Sequence, residues 1–135
     1  MKAKADYRLW AARLLIGLVI AWNLQAAIAF LLAPQEAAKG FELGGIPGVV
    51  AVRGVAILFV MWNVPYVLAC WQPRRNRASL WEALAMQLIG VVGECAIFLA
   101  LPAGHAALHG SLLRFIAFDA AGLGLLAVAS VLAGK

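Results

Sequence analysis

The sequence predicts an all-α membrane protein in which four transmembrane helices form one compact antiparallel bundle. Of its 135 residues, 65% are hydrophobic and only 13% are charged. Soluble domains carry about 45–50% apolar and about 25% charged residues. The apolar residues also fall into four long runs, and prolines or a basic segment, Gln72–Ser79, separate these runs. We therefore expect a single domain over residues 1–135.

The first two runs predict a pair of helices over residues 9–33 and 47–71. The first run is about 20 residues long, which exceeds a signal-peptide core and matches a membrane span, so we expect it to be retained. It ends before Pro34. The polar, glycine-rich residues 35–47 predict a connection between the first two helices. Pro47 suits the first turn of the second helix, where its missing N–H costs nothing.

The last two runs predict helices over residues 80–101 and 111–133. Ser79 is the candidate N-cap of the third helix, and Glu82 follows at the spacing of a capping box. Ser111 is the candidate N-cap of the fourth helix. Each run can cross a hydrocarbon core of about 30 Å at a rise of about 1.5 Å per residue.

The distribution of positive charge predicts the orientation. Basic residues flank the N-terminus, the middle loop and the C-terminus, whereas the other two loops share one lysine, Lys39. Cytoplasmic loops carry the excess of lysine and arginine, so we expect both termini and the middle loop in the cytoplasm. The residues that carry this prediction are Lys2, Lys4, Arg8, Arg74, Arg75, Arg77 and Lys135.

Polar groups within the apolar runs form the candidate site. Counted from the predicted helix ends, five of them lie about 5–12 Å below the outer boundary of the membrane. They are Gln25, Arg53, Glu94, Arg114 and Asp119. Because a lone charge at the centre of a membrane helix costs about 2.5–3.5 kcal/mol, we expect the charges to face inward and to pair between helices. Such a layer is either a structural ion-pair network or a pocket for an anionic or carbonyl-bearing ligand.

A short internal repeat relates the two halves of the chain. The segment Gln25–Ile28 matches Glu94–Ile97, and Arg53–Ala56 matches Arg114–Ala117. Two helical hairpins of the same course would then be related by an axis along the membrane normal, as in parallel repeats. Each hairpin would contribute one Gln or Glu and one Arg to the central layer.

No complete motif for catalysis or metal binding is present. His105 and His109 are four residues apart and could join Glu42 at a metal ion, but two interfacial histidines are the simpler interpretation. Cys70 and Cys95 fall near opposite membrane faces, which disfavours a disulfide. The basic residues sit at segment ends, so the net charge of +5 does not indicate nucleic-acid binding.

The start of the chain resembles the DoxX-like group of small four-helix bacterial membrane proteins. The residues that carry the resemblance are Arg13–Gly17, Gly40–Phe41 and Gly45–Gly48, within the first third of the chain. The group often has an acidic residue early in the second helix, where this chain has Arg53. The resemblance implies a multi-pass protein of the bacterial inner membrane, linked to quinone or redox partners, and it transfers no catalytic residue.

These observations favour a non-enzymatic membrane protein that binds a small ligand or a partner subunit through the charged layer. A quinone-linked oxidoreductase subunit is the first alternative, and a small transporter is the second. Redox function predicts co-purifying quinone, and transport predicts flux in proteoliposomes. The sequence leaves the ligand open, and it leaves homo-oligomerisation open as well.

Overall fold

The structure is a computed structural model that describes residues 2–134, with side chains described over residues 7–134. This part of the chain contains helices and no strand, which confirms the predicted all-α fold. The helices are α1 (Lys2–Leu32), α2 (Pro34–Gly40), α3 (Gly45–Trp71), α4 (Arg77–Ala100) and α5 (Ala106–Gly134). Four of them, α1, α3, α4 and α5, are long and apolar enough to cross a membrane. They indicate a multi-pass membrane protein.

The four long helices close into a ring. α1 packs on α3 and α5, and α4 packs on α5 and α3. Short connections join α3 to α4 and α4 to α5, which makes consecutive spans antiparallel. The short α2 lies across one end of the bundle against α1, α3 and α5. We call this end the α2 end, and the opposite end, which holds Arg74, Arg75 and Arg77, the arginine end.

Small side chains dominate the bundle core toward the arginine end. Its buried residues are Ala12, Ile16, Val19, Tyr66, Ala69, Leu80, Ala83, Leu126, Ala129 and Ala133. Small residues let membrane helices approach closely, because the attraction between such helices comes from packing and not from escape from water. The outward faces carry exposed apolar side chains such as Ile57, Ile89 and Val131. Such a surface suits contact with lipid.

Phenylalanine rings fill the core toward the α2 end. Phe30, Phe41, Phe59 and Phe115 come from α1, the loop after α2, α3 and α5, and their ring centroids lie 5.8–6.2 Å apart. Aromatic pairs at these distances contribute about 0.5–1.5 kcal/mol beyond their burial. This cluster fixes α2 on top of the spans, and so it shapes the site described below.

The connection between the first two spans differs from the prediction. Residues 35–47 were expected only to connect the first two of four helices, but a fifth, short helix, α2, occupies the first half of that segment. Pro34 is its first residue, a position at which a missing N–H is tolerated. Ala38 is buried against the phenylalanine cluster. Tertiary packing of this alanine-containing turn therefore overrides the effect of the nearby glycines.

Both predicted serine caps are wrong. Ser79 lies inside α4, whose N-cap is Asn76. Ser111 lies inside α5, and its hydroxyl donates to the backbone oxygen of Gly40 at 2.6 Å. A cap contributes only about 1 kcal/mol, so a buried tertiary hydrogen bond can compete with it. Of the predicted basic flanks, the side chains of Lys2 and Lys4 and all of Lys135 lie outside the described residues.

Candidate functional site

Three hydrogen-bonded side chains cross the bundle interior from α3 to α5. The Tyr66 hydroxyl donates to Gln87 Oε1 at 2.7 Å. Gln87 Nε2 donates to Asp119 Oδ1 at 2.9 Å and to the Asp119 backbone oxygen at 3.2 Å. Tyr66 and Gln87 are 3% and 4% exposed. We call these three residues the interior polar chain.

The order of donors and acceptors in the interior polar chain follows from chemistry. An ionised carboxylate and a backbone carbonyl only accept hydrogen bonds, so the Gln87 amide nitrogen must face Asp119. The amide oxygen then faces Tyr66, whose hydroxyl supplies the proton. Unpaired polar groups are costly in a membrane interior. The chain satisfies both ends of the Gln87 amide and links three spans.

Two glycines make room for the interior polar chain. A Cβ placed on Gly122 would stand 2.7 Å from Gln87 Nε2 and 3.5 Å from Val19 Cγ1. A Cβ placed on Gly90 would collide with Asp119 Oδ2. Only glycine therefore leaves these side chains in place, which explains why Gly90 and Gly122 stand on the facing stripes of α4 and α5.

Glu94 and Asn63 extend the polar region toward the α2 end. Glu94 lies one turn beyond Gly90 on α4, and positions three or four residues apart share a helix face. Its Oε2 is buried without a hydrogen-bond partner among the described residues. Asn63 is 3% exposed, and its Nδ2 donates to the Phe59 backbone oxygen at 2.7 Å. Asn63 Oδ1 is also buried without a partner in the described part of the chain.

Tyr66 and Asn63 are absent from the five site residues that the sequence predicts. Both lie in the apolar run of α3, three residues apart and on either side of Pro65. Two polar side chains at helical spacing next to a proline are a signal that could have identified them, because they share one face of the helix. Gln87 is likewise absent from the five predicted site residues.

Two cationic side chains, Lys39 and Arg53, line an open groove of about 610 Å³ at the α2 end. We call it the α2 groove. Its other lining residues come from α2, the following loop and the first turns of α3: Gln35, Ala38, Leu43, Gly44, Gly45, Ile46, Val49 and Val50. Lys39 pairs with Glu36 at 2.7 Å. Arg53 is exposed and forms no ion pair among the side chains of residues 7–134.

Arg114 lies at the α2 end but takes part in a different contact. Its Nη2 donates to Ser111 Oγ at 3.2 Å, and Ser111 donates to Gly40. A Cβ on Gly40 would stand 2.9 Å from Ser111 Oγ. Arg114 therefore supports the contact between α5 and the end of α2, although its own side chain is exposed.

The predicted charged layer is divided in the structure. Glu94 and Asp119 are partly buried, whereas Arg53, Arg114 and Gln25 are exposed. The ion pairs among residues 7–134 are Lys39–Glu36 and His105–Glu42, so the expected pairing of an arginine with an acid inside the bundle is not found there. Asp119 is held by a neutral amide instead, because α5 turns its acid toward Gln87 and its arginine toward α2.

Glu42 and His105 join the two loops at the α2 end. His105 Nδ1 donates to Glu42 Oε2 at 2.6 Å, and the Leu108 backbone N–H donates to Glu42 Oε1 at 3.4 Å. The hydrogen bond from His105 holds the pKa of Glu42 below its usual range. Glu42 adopts the left-handed conformation with φ 55°, which orients its carboxylate toward the first turn of α5.

His109 completes neither a metal site nor a catalytic pair. Its Nδ1 donates to the His105 backbone oxygen at 2.9 Å, and its ring lies edge-on to Phe98. Within the described residues, no group of three His, Cys, Asp or Glu side chains could hold a metal ion. The two histidines therefore take separate contacts, His105 with Glu42 and His109 with Phe98.

Comparisons of the chain with protein-family models, with curated proteins and with solved structures find no match. The α2 groove and the buried polar side chains are therefore the features of the molecule from which we infer a function.

Proposed function

We propose that this protein binds a small anionic or carbonyl-bearing ligand in the α2 groove, with Arg53 as the main contact. The observation that carries the proposal is the exposed guanidinium of Arg53, which forms no ion pair among residues 7–134 and lies in a groove that also contains Lys39. Arg53 lies eight residues after Gly45, or about 12 Å along α3. A cation at such a depth is costly unless water or an anion reaches it.

The shape of the groove favours a small ligand. Its volume of about 610 Å³ falls within the roughly 300–1,000 Å³ of small-molecule sites. Apolar side chains such as Ile46, Val49 and Val50 line the groove together with the two cations. The guanidinium can bind a carboxylate or phosphate through two parallel hydrogen bonds. A partner subunit would need to supply an acidic side chain at the same place.

We also propose that the α2 groove faces the outside of a bacterial inner membrane, with both termini in the cytoplasm. The connection between spans at the arginine end carries Arg74, Arg75 and Arg77, whereas the two connections at the α2 end carry one basic residue, Lys39. The excess of positive charge supports a cytoplasmic arginine end. The resemblance to the DoxX-like group supports the bacterial inner membrane.

A thermal-shift assay on the purified protein in neutral detergent tests the proposal. The probes are phosphate, sulfate, citrate, acetate and benzoate at constant ionic strength, because a ligand that binds only the folded state raises the melting temperature. We expect at least one of these anions to stabilise the wild type and Arg74→Gln but not Arg53→Gln. Arg74 is the matched control, since it is an exposed arginine at the opposite end. Equal stabilisation of Arg53→Gln, or no response to any anion, would contradict the proposal.

A quinone-linked redox subunit is the second candidate, and two buried polar atoms beside the interior polar chain favour it. Glu94 Oε2 and Asn63 Oδ1 are buried without a hydrogen-bond partner among the described residues, and both oxygens can accept hydrogen bonds from quinol hydroxyl groups. This candidate predicts quinone in an organic extract of the purified protein. It also predicts that Glu94→Leu, which removes the buried oxygen without a partner among the described residues, lowers the amount of quinone retained. An extract without quinone from protein purified in mild detergent would exclude it.

A further inference from the structure

The loop at the arginine end is a rigid turn. The backbone N–H groups of Arg75 and Asn76 donate to the Gln72 oxygen at 3.1 and 2.8 Å. Asn76 Nδ2 donates to the Leu68 oxygen at 2.6 Å, and Pro73 is fully buried. The side chains of this turn therefore extend from a backbone whose conformation is fixed by hydrogen bonds.

The arginines of this loop are not needed to cap α3. Carbonyl groups in the last turn of a helix lack partners within the helix. Here Arg13, from α1, donates to the Trp71 oxygen at 2.7 Å, and Asn76 bonds to the Leu68 oxygen. Arg13 also stacks over Trp10, with 5.3 Å from its guanidinium carbon to the ring centroid. Because other side chains cap α3, the loop arginines are free for another contact.

The three loop arginines have different surroundings. Arg77 lies against the end of α5, since a Cβ on Gly134 would stand 3.5 Å from its Nη2. A cation there is favoured by the helix dipole. Arg75 lines a groove of about 390 Å³, whereas Arg74 lines neither groove. None of the three forms an ion pair among the side chains of residues 7–134.

The groove beside Arg75 combines a cation with an apolar wall. Its lining residues are Leu68, Trp71, Gln72, Arg75 and Asn76. Trp71 is 69% exposed and Leu68 is 42% exposed. A tryptophan at the end of a membrane span belongs at the level of the lipid headgroups. An amphiphile with a negative headgroup can therefore place its charge on Arg75 and its chain along Leu68 and Trp71.

We propose that this groove binds an anionic phospholipid such as phosphatidylglycerol. The Arg75 guanidinium holds the phosphate through two hydrogen bonds, and an acyl chain packs on Leu68 and Trp71. The charge of the loop supplies the preference for a negative headgroup. The apolar wall supplies the preference for a lipid over a free phosphate. This proposal does not depend on a ligand in the α2 groove.

Native mass spectrometry of the delipidated protein in neutral detergent tests the proposal. The probes are phosphatidylglycerol, phosphatidylcholine with the same acyl chains, and glycerol 3-phosphate. We expect the wild type to prefer phosphatidylglycerol to phosphatidylcholine by about tenfold or more, and glycerol 3-phosphate to bind far more weakly. Arg75→Gln should lose this preference, and Arg75→Lys should recover part of it. Trp71→Ala should lower the affinity for phosphatidylglycerol, because it removes part of the apolar wall.

Arg74→Gln is the matched control, because it removes the same charge from the adjacent position. General attraction to a negative surface predicts that the affinity for phosphatidylglycerol falls by about fivefold when either arginine is replaced. A specific site predicts a clearly larger fall in this affinity for Arg75→Gln. It also predicts a fall for Trp71→Ala, which changes no charge. Equal losses in the two arginine variants, or an unchanged Trp71→Ala, would overturn the proposal. Glycerol 3-phosphate that binds as tightly as the lipid would overturn it as well.

Discussion

The Gln87 side-chain amide bonds to the Asp119 carboxylate across the interface of α4 and α5, at 2.9 Å from Nε2 to Oδ1. This contact shows how the protein accommodates an acid inside the bundle: a neutral amide holds it, and Tyr66 satisfies the other end of that amide. Arg53 and Arg114, at the α2 end, are therefore not needed to pair with Asp119.

Loss of the Tyr66 hydroxyl should weaken the bundle. Tyr66→Phe removes the hydroxyl that donates to Gln87 Oε1 and also lies 3.3 Å from the Ala83 backbone oxygen. Hydrogen bonds between membrane helices contribute about 0.6 kcal/mol on average and about 1.7 kcal/mol at most, so we expect a loss within these limits. Unfolding in a mixed-detergent titration measures the change. Tyr7→Phe is the control, because Tyr7 is 75% exposed. Two variants that unfold alike would show that the interior polar chain does not stabilise the fold.

Gly122 should tolerate no larger residue. In Gly122→Ala the new Cβ would stand 2.7 Å from Gln87 Nε2, and such overpacking costs about 1–3 kcal/mol. Gly124 on the same helix has no atom within 4 Å of an added Cβ. Gly124→Ala should therefore leave the free energy of unfolding unchanged or raise it by up to about 1 kcal/mol. If Gly122→Ala and Gly124→Ala had the same free energy of unfolding, Gly122 would not be packed closely against Gln87, and this prediction would be wrong.

The Glu42–His105 contact should stabilise the protein only above acidic pH. The folded state lowers the pKa of Glu42 from its usual value of about 4.3. The contribution is therefore present above about pH 4.3 and is lost as the pH falls through the lower folded pKa. The difference in melting temperature between wild type and Glu42→Gln should be present at pH 7 and should shrink below about pH 4.3.

Glu36→Gln is the control for the pH experiment. Glu36 pairs only with Lys39 on the same short helix, and both side chains are exposed. Such pairs contribute little to stability, so we expect a smaller effect at pH 7. A Glu42→Gln difference that persists unchanged at pH 3 would mean that the carboxylate of Glu42 is not what joins the two loops.

Accessibility labelling tests the proposed orientation. In a background with Cys70→Ala and Cys95→Ala, we introduce Ala103→Cys at the α2 end or Ala78→Cys at the arginine end. Both alanines are exposed. A membrane-impermeant thiol reagent added to intact cells should label Ala103→Cys and not Ala78→Cys, because the positive end stays inside. The reverse pattern would invert the orientation and place the α2 groove in the cytoplasm.

The sequence predicted the spans because the length of an apolar run and the prolines that end it are local features. It did not predict which polar side chains face inward. Each residue rotates the direction of a side chain by about 100°, so Arg53 and Asp119 can lie at similar depths and still point to different surroundings. Only the packing of whole helices fixes that rotation.

The contact of Ser111 and the helix α2 were also not predicted, because both depend on contacts between residues that are distant in sequence. Ser111 was a reasonable cap by its type and position, but its hydroxyl bonds to Gly40, which is distant in sequence. The helix α2 depends on the phenylalanine cluster, whose four rings come from four separate segments. Contacts of this kind become visible only when the chain is folded.

The most direct test of the central proposal measures stability and anion affinity together in Arg53→Gln. The stabilising anion found in the thermal-shift screen is titrated calorimetrically into wild type, Arg53→Gln and Arg74→Gln. Because Arg53 is exposed, we expect its substitution to change the free energy of unfolding by no more than about 0.5 kcal/mol. Affinity should fall by roughly 10- to 100-fold, since a hydrogen bond to a charged group contributes about 1.5–3 kcal/mol. An unchanged affinity together with a large loss of stability would show that Arg53 is part of the scaffold and that the α2 groove is not the binding site.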